Sequence, residues 1–151
     1  MDRVSAIKAA VRAQHGRVEA LFAELARCGR TEPGFTRPSY SPEETAAHAV
    51  VARCAADLGL AIGRDAAANT AMTLPGRDRT LPPILIGSHL DTVAQGGNFD
   101  GAAGVVAGLA AVAAIRALGL EPERDITVLG IRAGEDNPDE LGLRVEITGA
   151  R

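Results

Sequence analysis

Apolar residues recur at helical spacing early in the chain. Val18, Leu21, Phe22 and Leu25 fall at i, i+3, i+4 and i+7, on one face of a helix. The pattern predicts helix from Val4 to about Cys28, either as one long element or as two divided near Gly16, with Gly29 as the stop. Residues 30–40 carry Pro33, Gly34 and Pro38 and read as loop. Ser41-Pro42-Glu43-Glu44 then marks a helix start, in which Ser41 caps, Pro42 fits the first turn and Glu44 completes a capping box. This second helix runs to Leu58, with Ala47, Val51, Cys54 and Leu58 facing inward, and stops at Gly59.

Beyond Gly59 the spacing becomes that of strands. Leu60 to Arg64 and Thr70 to Leu74 form a short antiparallel edge pair, and Pro75-Gly76-Arg77-Asp78 is a turn. Pro83 to Ser88 is apolar without alternation, as expected of a strand buried on both faces. Helix resumes from Gly101 to Leu118, and Ile126 to Ile131 is a second buried strand. Strand, helix and strand in this order imply a right-handed parallel crossover. The expected fold class is α/β, a three-layer sandwich with a mainly parallel sheet.

Composition narrows the function classes. Hydrophobic residues make up 46% of the 151 residues but aromatics only 3%, with no Trp, so the core is built from Ala, Val, Leu and Ile. Such small residues let helices lie close on a sheet. A net charge of −3 supplies no field for a phosphate backbone, which argues against a nucleic-acid partner. The most apolar stretch, Gly101 to Leu118, is rich in Gly and Ala and reads as a buried helix, so no membrane partner is expected. The N-terminus lacks the apolar run of a signal peptide, and Cys28 and Cys54 form no CxxC pair. Both cysteines are expected as reduced thiols in a cytoplasmic protein.

The candidate chemistry lies at the C-terminal ends of the two buried strands, where α/β folds hold ligands. His89, Asp91 and Asp100 follow the first strand and Glu135 the second. Imidazole and carboxylate are zinc ligands. His89 and Asp91, two apart in an extended segment, point the same way, so one can bind metal while the other orients it. Gly96-Gly97 allows the chain to turn so that Asp100 returns beside His89, at the start of a helix whose dipole favours a carboxylate. Each residue also has a plainer role open to it. His89 could be a core histidine, Asp100 a helix cap, and Glu135 and Asp136 solvated loop charges. A nucleotide site is disfavoured, because the chain has no GxGxxG or P-loop pattern and Asp100 stands where a phosphate would sit.

Ile84 to Val93, followed by Gly96-Gly97-Asn98-Phe99-Asp100-Gly101, resembles the dinuclear-zinc N-carbamoyl-amino-acid hydrolases and their relatives, allantoate amidohydrolase and β-ureidopropionase. Thr36 to Glu43 resembles the loop before that family's second helix, and the likeness runs from about Val18 to Ala133. It implies that His89 binds one metal ion, that Asp100 bridges two, and that Asp91 hydrogen-bonds His89 as part of the catalytic apparatus. Zinc, or manganese or cobalt in its place, would polarise an amide or ureido carbonyl and lower the pKa of a bound water. The implied partner is a small N-carbamoyl or ureido substrate.

Two departures accompany the resemblance. In the family a glutamate pair follows the second strand, the first member acting as general base and the second as metal ligand. Ungapped, this chain places Gly134 at the base and Glu135 at the ligand position, whereas a one-residue slip makes Glu135 the base and Asp136 the ligand. No histidine follows His89, and residues 137–151 match nothing in the family, although Leu141 to Ile147 has the pattern of a strand. The expectation is the N-terminal portion of a metallohydrolase catalytic domain, without the family's dimerisation domain and deficient in catalysis. The alternative is a non-catalytic remnant serving as an interaction module. An unfilled sheet edge would favour self-association.

Overall fold

The computed structural model describes residues 2–135. Asp2 opens the first helix, α1 (Arg3–Arg12), its carboxylate accepting the N–H groups of Val4 and Ser5 at 3.0 Å. The predicted early helix is divided at Ala13 and Gln14, and Gly16 lies within the first turn of α2 (His15–Arg27). The division lets the two segments serve different faces. Leu21 and Leu25 of α2 are buried, whereas Val4, Ile7 and Val11 of α1 stay exposed.

Ser41 caps α3 (Pro42–Asp57) as expected, its Oγ accepting the N–H of Glu44 at 3.1 Å. The rest of the capping box is replaced. The Glu44 carboxylate accepts from the N–H of Tyr40, one residue earlier, and turns inward to Arg132. Ala47, Val51 and Cys54 are buried as the periodicity predicts, but so are Glu44 and His48.

Four strands follow: β1 (Ala61–Arg64), β2 (Thr70–Leu74), β3 (Ile84–His89) and, after α4 (Ala102–Ala117), β4 (Ile126–Ile131). Their order is β1-β2-β4-β3. The β1–β2 edge pair is antiparallel, β2 runs antiparallel to β4, and β3 runs parallel to β4 across the α4 crossover. The α/β class holds, in a mixed sheet. Met72, Leu74, Ile126 and Val128 point to one face and join a single core with α2, α3 and α4. Packing there is tight because glycines line α4. A Cβ at Gly104 would lie 2.7 Å from the Ser88 Cβ, and one at Gly108 2.9 Å from the Val128 Cγ1.

One strand departs from its expected environment. β4 is buried along nearly its whole length, but Ile84 and Leu85 of β3 are 48% and 47% exposed. The apolar run was expected to be covered on both faces, yet β3 has only β4 beside it among the described residues. The predicted strand over 141–147 lies outside the described residues, as does Asp136.

Candidate metal centre

In parallel strands the C-terminal ends open on the same side. The register pairs Ser88 with Gly130 and His89 with Ile131, so the segments leaving β3 and β4 meet directly above the sheet. His89, the last residue of β3, sits at that meeting point. Its Nδ1 lies 3.1 Å from the Asp91 carbonyl oxygen and 3.3 Å from the Asp91 Oδ1, so the ring donates there. The opposite nitrogen, Nε2, lies 3.2 Å from the Glu135 Oε1. His89, Asp100 and Glu135 each offer one ligand atom, and these atoms lie within 4.8 Å of one another.

Among the described residues no hydrogen bond or ion pair engages the Asp100 carboxylate. The N-cap of α4 is Gly101, and no side chain caps that terminus, so Asp100 is not the helix cap that its position allowed. Nor is His89 a core histidine, its side chain being 18% exposed. Two glycines wall its ring. Gly101 has φ +63°, and a Cβ there would lie 2.7 Å from the His89 Nε2 and closer still to Cε1 and Nδ1. Nearer the backbone, a Cβ at Gly134 would overlap the His89 Cβ and lie 2.7 Å from Cγ.

Asp91 is 1% exposed and fully engaged. Besides His89, its carboxylate accepts the N–H of Gly134 at 2.9 Å, the N–H of Glu135 at 3.1 Å and the Ser39 hydroxyl at 2.8 Å. Burial alone would raise its pKa. The hydrogen bonds from His89, the two N–H groups and Ser39 outweigh burial and hold the carboxyl well below the usual range. Asp91 in turn raises the pKa of His89, against the opposing effect of burial, and Glu135 adds to the rise. With Asp91, Asp100 and Glu135 around one imidazole, negative charge is in excess, and a divalent cation is the natural counterion.

All four residues singled out from the sequence are thus brought together. Their supports were not foreseen. Arg37, fully buried, donates to the carbonyl oxygens of Leu90 at 2.9 Å and of Leu25 and Cys28 at 3.3 Å, tying the loop before α3 to the segment that carries Asp91. Arg37 and Ser39 both fall in the Thr36–Glu43 stretch, whose likeness to the family's loop was the available signal.

An α/β sheet ending in a His, Asp and Glu cluster is the architecture of a metal-dependent hydrolase domain. The chain belongs to peptidase family M28, whose family model matches residues 69–144. It is similar to an N-carbamoyl-L-amino-acid amidohydrolase of Paenarthrobacter aurescens, 41% identical over 100 residues that cover 66% of this chain and 24% of that protein. It is also similar to a ureidoglycolate hydrolase of Arabidopsis thaliana, 29% identical over 111 residues, 74% of this chain and 23% of that protein. Among solved structures, a hydantoinase/carbamoylase family amidase from Burkholderia ambifaria superposes with a TM-score of 0.76 at 31% identity, over 80% of this chain and 30% of that one. The chain therefore spans less than a third of the length of these relatives. None of its described helices is long and apolar enough to cross a membrane.

Proposed function

We propose that this chain is the N-terminal, metal-holding portion of a cytoplasmic hydrolase that acts on a linear amide or ureido C–N bond, of the N-carbamoyl-amino-acid or allantoate type. The observation that carries the proposal is the convergence of His89, Asp100 and Glu135 within 4.8 Å, backed by a buried Asp91. The names of the relatives support the substrate class. The donor set suits zinc, manganese or cobalt, with two ions in a complete family site. When bound, the metal would supply Lewis acidity toward a carbonyl and a lowered pKa for water.

The chain's own residues divide the remaining work. Asp91 keeps a proton on the His89 Nδ1 and leaves Nε2 as the donor atom. Asp100, one residue before the N-cap of α4, brings its carboxylate to a helix end that favours negative charge. Glu135, with Oε1 beside the His89 Nε2, suits the ligand position better than that of the base. The base position then falls to Gly134, which has no group to accept a proton. Asp91 cannot substitute, because its oxygens are committed to four donors.

Gly134 is also what favours a second reading, a metal-holding module without turnover. The test is metal stoichiometry of the purified chain by elemental mass spectrometry, beside hydrolysis of N-carbamoyl amino acids and allantoate. Bound metal that is lost in His89→Ala is the expected result. Unchanged metal content in that variant would sink the site. Metal with turnover supports the hydrolase, and metal without turnover supports the second reading.

A further inference from the structure

The described residues hold one fully buried carboxylate–guanidinium pair, and it lies outside the candidate ligand set. Glu44 of α3 is 0% exposed and Arg132, just past β4, 4% exposed. The Arg132 Nη1 donates to the Glu44 Oε2 at 2.8 Å, and the other carboxylate oxygen accepts the N–H of Ala133 at 3.2 Å. The N–H of Arg132 itself goes to the Oδ1 of Asn69, the residue before β2, at 2.8 Å. These bonds seize the backbone at 132 and 133. Asp91 seizes it again at 134 and 135. The four residues that end in Glu135 are therefore held by side chains from three other places in the chain.

Burying an ion pair is a weak way to stabilise a fold, since apolar side chains of similar volume often do as well or better. Directed hydrogen bonds do what packing cannot: they fix the direction in which a short irregular segment leaves its strand. We infer that Glu44 and Arg132 form an internal latch that positions the Glu135 carboxylate as a ligand. The inference rests on the metal-centre reading above. Both are positioning residues, since neither faces the cluster of ligand atoms.

Two variants test the latch, Glu44→Gln, which keeps the shape, and the double variant Glu44→Leu/Arg132→Met, which replaces the pair by apolar groups. Each full chain is titrated with Co²⁺, following its visible d–d absorption, and melted without metal. The double variant removes the ion pair but leaves the Tyr40 and Ala133 N–H groups without their acceptor, so it is expected to melt below the unaltered protein while staying folded. Its Co²⁺ affinity should fall about tenfold or more, as for other residues that orient metal ligands, with a changed absorption band. Glu44→Gln should move both in the same direction by less. Unaltered affinity and spectrum in either folded variant would overturn the latch, as would an affinity loss that merely follows the folded fraction. Failure of the unaltered chain to bind Co²⁺ would overturn the metal-centre reading and the latch with it.

Discussion

Replacing Gly101 with alanine adds one carbon and no charge, yet it should disable the site. Two costs come from the structure. The first is conformational: Gly101 has φ 63° and ψ −55°, a combination L-residues avoid, and holding alanine there costs about 1–3 kcal/mol. The second is spatial. The new Cβ would lie 2.7 Å from the His89 Nε2, against roughly 3.5–4.0 Å for an ordinary contact, so something must give by about 1 Å. The helix start is anchored, because Ala102 is fully buried. The base of the ring is backed by Gly134, where an added Cβ would lie 2.7 Å from the His89 Cγ. Displacement is therefore forced into the separation of His89 from Asp100 and Glu135. The expected outcome is a loss of about 2–4 kcal/mol in stability and of about 10–100-fold in metal affinity. Urea melts of the metal-free protein and competitive Co²⁺ titration would measure both. Gly97→Ala is the control, since that glycine lies in the same turn with nothing within 4 Å of its added Cβ, and it should stay within about 1 kcal/mol. If Gly101→Ala matches Gly97→Ala in both assays, the description of His89 as walled by glycine is wrong.

Two further outcomes are expected. Asp91→Asn turns an amide N–H₂ toward groups that all donate, and should weaken Co²⁺ binding by about 10–100-fold and stability by about 1.5–3 kcal/mol; binding at the original affinity would remove Asp91 from its orienting role. His48 is fully buried with Nδ1 2.9 Å from the Thr70 Oγ1 and Nε2 3.9 Å from the Glu44 Oε1. Burial above all, with Arg132 and Arg64 adding to it and Asp91 opposing, pushes its pKa from 6.5 down to about 4. The unfolded chain then binds the extra proton between these values. Stability attributable to His48 is complete above about pH 6.5 and falls as pH drops toward 4, by up to about 3 kcal/mol. Urea melts from pH 7.5 to 4 should show this slope flattened in His48→Asn, and equal slopes would refute the assignment.

What was legible in the sequence was local. The Val18–Leu25 stripe, the Ser41-Pro42 start and the apolar runs of β3 and β4 each carry their signal within a few residues. The His89–Gly101 segment is local too and carries the signal for His89, Asp91 and Asp100, whereas Glu135 is marked only by its place after the second buried strand. What escaped was set by distant partners. Glu44 reads as a capping-box residue by its spacing from Ser41, but its partner Arg132 lies 88 positions away. The exposure of β3 could not be read from its own residues, since it depends on what stands at its second edge, and among the described residues no strand does. Gly16 marked the division of the early helix, but the break itself falls at Ala13 and Gln14, two residues before it.

The buried charges bear on how the candidate metal centre is held. Asp91, Glu44, Arg37 and Arg132 are all nearly or wholly removed from water. Each costs free energy unless its bonds are made, and their summed effect on folding alone is small or adverse. Apolar side chains at the same places would fill the space but leave the backbone groups of Leu25, Cys28, Leu90, Ala133, Gly134 and Glu135 without these partners. Three of the four engage the backbone of the segments that carry His89, Asp91 and Glu135, and Asp91 grips one of those segments while orienting the His89 ring. A remnant of a metal centre would inherit the same arrangement, and metal binding is the property that separates the two readings. Orienting a histidine and two carboxylates toward one point uses the arrangement, whether or not Gly134 leaves the resulting centre able to turn over a substrate.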